Sequence, residues 1–182
     1  MRFRFFDPGL ESTPVISVDG VTPLGPNFSH WPGHRTPPEL RDDLSTGILL
    51  RLAALPPQQR ATYLAGHDVV TNNHVDTDGI LSVFTLLHPD AALQHRDLLL
   101  AAARCGDFQT FTSDAALAIE LTLSAITSAV DADGLGGPAK RQRQYEVALE
   151  QVPRLLADPF VERERIAADF ERIRADVEFA RS

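Results

Sequence analysis

The chain has 182 residues, a formal net charge of -8 and a pI of about 5.1, with 43% hydrophobic and 23% charged residues. That suits one globular domain, with or without a helical appendage, and an acidic surface of this kind repels nucleic acid; the basic cluster Lys140-Arg141-Arg143 runs straight into Glu146 and Glu150, as on a solvated helix face. A single cysteine, Cys105, excludes an internal disulfide and a thiolate zinc site, and the absence of a signal-like leader or of any apolar run near the roughly 18 residues of a membrane span points to a cytoplasmic protein with no membrane partner.

Residues 1–40 are rich in Pro, Gly and Ser and leave room only for short strands, at 3–6 (FRFF) and 15–18 (VISV), the second stopped by the turn pair Asp19-Gly20. Phe28, Trp31 and two histidines give this segment groups to pack or bind with, so it reads as an ordered loop wrapped over a core. From residue 41 the pattern is helical. DDLSTGILLRLAAL starts with acidic residues, which suit a helix N-terminus, and stops at Pro56-Pro57; Pro57 opens a short helix that Gly66 closes. Val69–Thr71 reads as a strand and 79–88 as the helix after it. DAALQHRDLLLAAARCG is a further helix with Asp90 as its N-cap. The segment 113–130, capped by Ser113 or Asp114, is apolar nearly all round, as central buried helices are.

DADGLGGPAK (131–140) separates a core, 1–130, from a tail, 139–182. The tail holds two amphipathic helices. One carries Tyr145, Leu149, Val152 and Leu156 on a face; the other spaces Ile166, Phe170, Ile173, Val177 and Ala180 by four, three, four and three. Such a stripe is too short for an independent coiled coil, so a helical hairpin packed on the core, or on a second copy in a homodimer, is expected. The fold class that follows is α/β and helix-rich: a small, mostly parallel sheet flanked by helices, ending in a helical hairpin.

The chemistry concentrates in DVVTNNHVDTDGILSVFTLLHP (68–89), where His74, Asp76 and Asp78 alternate between a strand and a helix, followed by Gly79. A strand end fixes direction, the turn gathers successive side chains, and the glycine allows close approach. An imidazole with two carboxylates suits a divalent cation: Mn foremost, or Fe or Zn, but not copper(I). An EF-hand is excluded because Thr85 falls where its bidentate Glu belongs. An iron facial triad belongs on β-sandwich strands, which this helical chain does not offer; plain helix capping by Asp76 and Asp78 is the simpler alternative.

NNHVDTDGILS resembles the first motif of the DHH phosphoesterase superfamily, in which a strand ends in an acidic D-x-D-G or H-x-x-x-D-x-D segment, a helix follows, and the aspartates bind manganese. The resemblance implies metal-binding roles for Asp76 and Asp78, and for Asp107 in RCGDFQTF as a lone aspartate at the end of the next strand. The chain departs from that superfamily in lacking the DHH triplet, any histidine after His95, and the C-terminal substrate-binding domain. SHWPG, N-x-H-x-D-x-D-G and GDF, in that order over residues 15–110, also resemble an uncharacterised bacterial family of unknown function.

Other groups must then complete the site, and SHWPGHRTP is the obvious supplier: His30 and His34, with Arg35 to neutralise a substrate's charge. Glu120, alone among apolar residues, is a candidate ligand or general base, and Asp19, at a strand end, could face the same place. The expected function is a metal-dependent hydrolase acting through a metal-bound water on a small phosphorylated or otherwise activated metabolite. His74, Asp76, Asp78 and Asp107 are the expected ligands, and His30, His34, Arg35 and Glu120 the catalytic candidates. The alternatives are a non-hydrolytic metal-dependent tailoring enzyme (cyclase, lyase or oxygenase) of secondary metabolism and a non-catalytic helical oligomerisation module.

Overall fold

Proline and glycine keep the strands of this protein to two or three residues, and the sheet is correspondingly small. The computed structural model describes residues 1–131 and 136–182. Strands β1 (Arg2–Phe3), β2 (Ile16–Val18), β3 (Asn27–Phe28) and β4 (Val69–Thr71) form one parallel sheet in the order β1-β4-β2-β3. Val70 pairs with Ile16, Thr71 with Ser17, and Ser17 in turn with Asn27. All three residues of β2 and of β4 are buried, as in a parallel sheet covered on both faces. Parallel strands end on one edge, so the residues after β2, β3 and β4 converge there, where ligands gather in open α/β sheets.

The helices are α1 (Ser45–Ala54), α2 (Pro57–Leu64), α3 (Thr77–Leu87), α4 (Pro89–Gln94), α5 (Arg96–Phe108), α6 (Asp114–Ser128), α7 (Gly137–Ala157) and α8 (Arg163–Arg181). Ile48, Leu49 and Leu52 of α1 meet Ile80, Leu81 and Phe84 of α3 in the same core as Ile16, Val18 and Val70. Removing such side chains from water is the main stabilising term, about 1.5–3 kcal/mol for each fully buried one.

Helix α6 is central, as its all-round apolarity predicts. Ala116, Ile119 and Leu123 join the main core with Tyr145, Ala148 and Val152 of α7, while Leu117 and Ala118 pack against Ile166 and Phe170 of α8. Both C-terminal helices are thus bound into the molecule through α6. The α8 stripe is an internal face at Ile166 and Phe170 and fades toward an exposed Phe179.

Three local expectations are corrected. The run from Asp90 to Gly106 is two helices meeting at His95, and Asp90 sits in the first turn of α4 behind Pro89, with His88 at the cap. Asp107 belongs to α5 and not to a strand, because RDLLLAAARCGDF stays helical to Phe108. FRFF is strand only over Arg2–Phe3. The expected boundary at 131–140 lies partly outside the described residues. Among the described residues no helix is long and apolar enough to cross a membrane.

Candidate metal centre

Asp19 is the first residue beyond β2, and its backbone takes φ +62°. Non-glycine residues rarely occupy this region, although Asp tolerates it better than most, and such strain collects at functional sites. The Gly20 N–H donates to Val18 O at 2.6 Å, closing a three-residue turn around Asp19. The turn leaves the Asp19 carboxylate buried at the sheet edge, where Ser45 Oγ donates to Oδ1 at 2.8 Å.

Each oxygen of that carboxylate faces a different histidine. His74, just past β4, places Nε2 2.8 Å from Asp19 Oδ2 and 3.0 Å from Asp76 Oδ2. His30, just past β3, places Nε2 3.5 Å from Asp19 Oδ1, 3.2 Å from Asp107 Oδ2 and 3.9 Å from Asp78 Oδ2. Both Nε2 atoms are buried, and neither makes a hydrogen bond of acceptable direction to those oxygens. Imidazole nitrogens and carboxylate oxygens converging in this way suit a cation, which takes the place of the imidazole protons. Two ligand groups result, Asp19–His74–Asp76 and Asp19–His30–Asp78, each with its ligand atoms within 4.8 Å of one another. One imidazole with two carboxylates, twice over, is a donor set for Mn, Fe or Zn.

The aspartates also hold helices. Asp76 caps α3: its Oδ1 accepts from Gly79 N at 2.8 Å, leaving Oδ2 for His74. Asp78 serves another helix. Its Oδ2 accepts from Ser45 N at 2.7 Å and its Oδ1 from Thr46 N at 2.8 Å, so it caps α1, whose own N-cap residue, Leu44, makes no side-chain cap. The capping alternative is therefore present in the structure alongside the convergent ligand geometry.

A buried tyrosine braces the site from α7. Tyr145 Oη donates to His74 O at 3.0 Å and accepts from Asn72 Nδ2 at 2.8 Å, while its ring stacks on Phe3 at 4.2 Å. Asn72 Nδ2 also lies 3.4 Å from Asp19 Oδ2. Gly79 is required here, because a Cβ on it would overlap Asn72 Nδ2 and Tyr145 Oη. In the sequence Tyr145 is one member of an apolar face, and the one signal of its role is a phenol in a stripe of aliphatics, since a buried hydroxyl needs a partner.

The charges act on each other strongly. Burial works to raise Asp19, but the neighbouring His30 and His74 outweigh it and hold the carboxyl well below the usual range. Burial likewise works against a charged His74, and the carboxylates of Asp19 and Asp76 overturn it, raising the imidazole to about 10. Asp19 raises His30 too. Burial, then the charges of Asp19 and Asp107, push Asp78 up to about 8; burial, then Asp76 and Asp19, push Asp107 up to about 6. Carboxyls crowded in this way become comfortable when a cation neutralises them.

The remaining candidates are placed as follows. His34 turns into its own loop, its Nδ1 accepting from Thr36 N at 3.2 Å, and with His30, Arg41 and Phe108 it lines an open cleft beside the site. Arg35 does not enter this group: its guanidinium donates to Thr22 O and Gly25 O and stitches the loop together. Arg41 is the cation of the cleft, and no motif in the sequence marks it. Trp31 stands edge-on to both histidine rings, at 5.7 and 5.6 Å, and is 47% exposed. Glu120 lies outside both ligand groups, across a cavity from Asp76.

No curated protein and no solved structure matches the chain. A family model does, over residues 1–182: the chain belongs to a family of unknown function (DUF6687).

Proposed function

Proceeding from membership in a family of unknown function, we propose that this protein is a metal-dependent hydrolase of small phosphorylated or otherwise activated metabolites. The observation that carries the reading is the buried Asp19 carboxylate, with one oxygen toward each of two buried histidine nitrogens that lack hydrogen bonds. Asp19, His74 and Asp76 would hold one cation and Asp19, His30 and Asp78 a second, with Asp107 beside His30. A divalent cation, Mn foremost and Fe or Zn also suited, supplies Lewis acidity and acidifies a bound water.

The protein's own groups do the rest. Arg41, which shares the cleft with Asp42 and Asp43, is the cation there for an anionic substrate to meet, Asp42 being paired with Arg51. Asp107, 3.2 Å from His30 at the edge of the second ligand group, is placed to take a proton from the attacking water and pass it to the leaving oxygen as its bond breaks. Trp31 covers the histidines from solvent on one side. The net charge of -8 argues for a small-molecule substrate over nucleic acid, and the single buried thiol of Cys105 suits a reducing cytoplasm.

A non-hydrolytic metal enzyme is the second reading, favoured by the exposed Trp31 and Phe108 around the opening, which suit an apolar substrate. The test is elemental analysis of protein purified without added metal, followed by phosphate release from a panel of small phosphoesters. Bound metal with phosphate release supports the hydrolase. Bound metal with turnover of uncharged substrates alone selects the second reading, and no metal after incubation with Mn, Fe and Zn rejects both.

A further inference from the structure

Asp76 lines a second space besides the cation site. It is a partly open cavity of about 230 Å³ between α3, α5, α6 and the start of α7, with Thr77, Gly106, Glu120, Arg141 and Gln144 among its walls. Helix packing normally fills such junctions with aliphatic side chains; here Val75, Ile80 and Leu123 share the lining with two carboxyls, a guanidinium, an amide and hydroxyls. Gln144 is fixed, donating through Nε2 to Thr127 O at 2.8 Å and accepting from Arg141 Nη1 at 3.1 Å. Glu120 is different: its Oε2 is buried with no hydrogen-bond partner. Buried carboxyl oxygens are rarely left so, and an unpartnered one beside a cavity calls for a group to fill it.

The position is built for that purpose. A Cβ on Gly106 would come within 3.1 Å of both Glu120 Oε2 and Thr77 Cβ, so the glycine in α5 is what leaves the carboxyl its room. Burial raises the Glu120 carboxyl, while Thr77 beside it works to lower it. The space admits a short hydroxylated fragment beside Glu120.

We propose that this cavity is the subsite for the part of the substrate that the cations do not hold, a small hydroxylated, polyol-like group, and that Glu120 is the residue that selects it. The proposal rests on the hydrolase reading, in which the anionic end sits at Asp19, His74 and Asp76. Glu120 is then a specificity-determining residue and not a ligand, in keeping with its place outside both ligand groups.

The test is calorimetric titration of the Mn-loaded protein with inorganic phosphate and with glycerol 3-phosphate. Wild type is expected to bind glycerol 3-phosphate at least tenfold tighter than phosphate. Glu120→Ala erases that advantage and leaves phosphate binding unchanged, while Glu120→Gln, which keeps a donor and an acceptor in the same shape, retains most of it. Gly106→Ala, which narrows the cavity with the carboxyl in place, weakens glycerol 3-phosphate selectively. Equal binding of the two compounds by wild type, or an advantage that survives in Glu120→Ala, overturns the subsite alone. Failure of the Mn-loaded protein to bind either compound overturns the hydrolase reading and the subsite with it.

Discussion

Tyr145→Phe removes one oxygen atom from the support of His74 and little else. The ring remains stacked on Phe3 and packed in the core, so no large cavity opens. Two hydrogen bonds are lost, the one donated to His74 O at 3.0 Å and the one accepted from Asn72 Nδ2 at 2.8 Å. A hydrogen bond contributes about 0.5–1.5 kcal/mol net, and a buried group left unpaired costs about 1–3 kcal/mol. Asn72 keeps a weak partner in Asp19 Oδ2 at 3.4 Å, so the full penalty falls on one group more than on both. The sum is about 2–3 kcal/mol, or roughly 4–12 °C in Tm for a chain of this size. Tyr63→Phe is the control: its hydroxyl bonds Glu39 at the exposed surface and is expected to matter by less than about 0.5 kcal/mol. Both variants are compared with wild type by thermal and urea unfolding after metal removal, and by Mn titration. Because Tyr145 fixes the backbone that aims His74, Mn affinity should also fall about 10–100-fold. A Tyr145→Phe protein as stable as Tyr63→Phe, with undiminished Mn affinity, would refute the bracing role.

Asp19→Asn should abolish metal binding altogether, since Asp19 serves both ligand groups, whereas His30→Ala should lose one cation and keep the other; elemental analysis after gel filtration reads the stoichiometry. In metal-free protein at pH 6, Asp78→Ala leaves the N–H groups of Ser45 and Thr46 without partners and should cost about 2–5 kcal/mol, against about 1 kcal/mol for the lost cap on α6 in Ser113→Ala. Urea midpoints that rank the two variants the other way would contradict the cap on α1. Stability of the metal-free protein should fall between pH 7 and 10. His74, raised from 6.5 to about 10, stabilises fully below 6.5 and loses that contribution as pH rises through 10. Asp78, raised from 3.8 to about 8, adds a penalty that grows across that interval and is complete above it. A urea midpoint that rises over pH 7–10 would show these groups to be wrongly assigned.

The sequence by itself determined the local features: the strand at Val69–Thr71, the turn that follows, and the helix after it, expected at 79–88 and found slightly earlier at Thr77–Leu87. Strand exit, N-cap and amphipathic period are set by residues within a few positions of one another, so alternating His74, Asp76 and Asp78 could be read as one cluster before any fold was known. The all-round apolarity of α6 likewise announced a central helix. Tertiary structure decided what completes the site. Asp19 and His74 meet because β4 lies beside β2 with Thr71 paired to Ser17, and because a left-handed turn at Asp19 swings its carboxylate to the sheet edge. Neither the strand order nor a positive φ at an aspartate is encoded in residue spacing. The same holds for Arg41 facing the cleft where Arg35 was expected, for Asp107 reaching His30 from a helix, and for Tyr145 arriving from α7. Which side chains converge depends on how elements far apart in the chain bury their apolar faces together, and only the packed molecule resolves that.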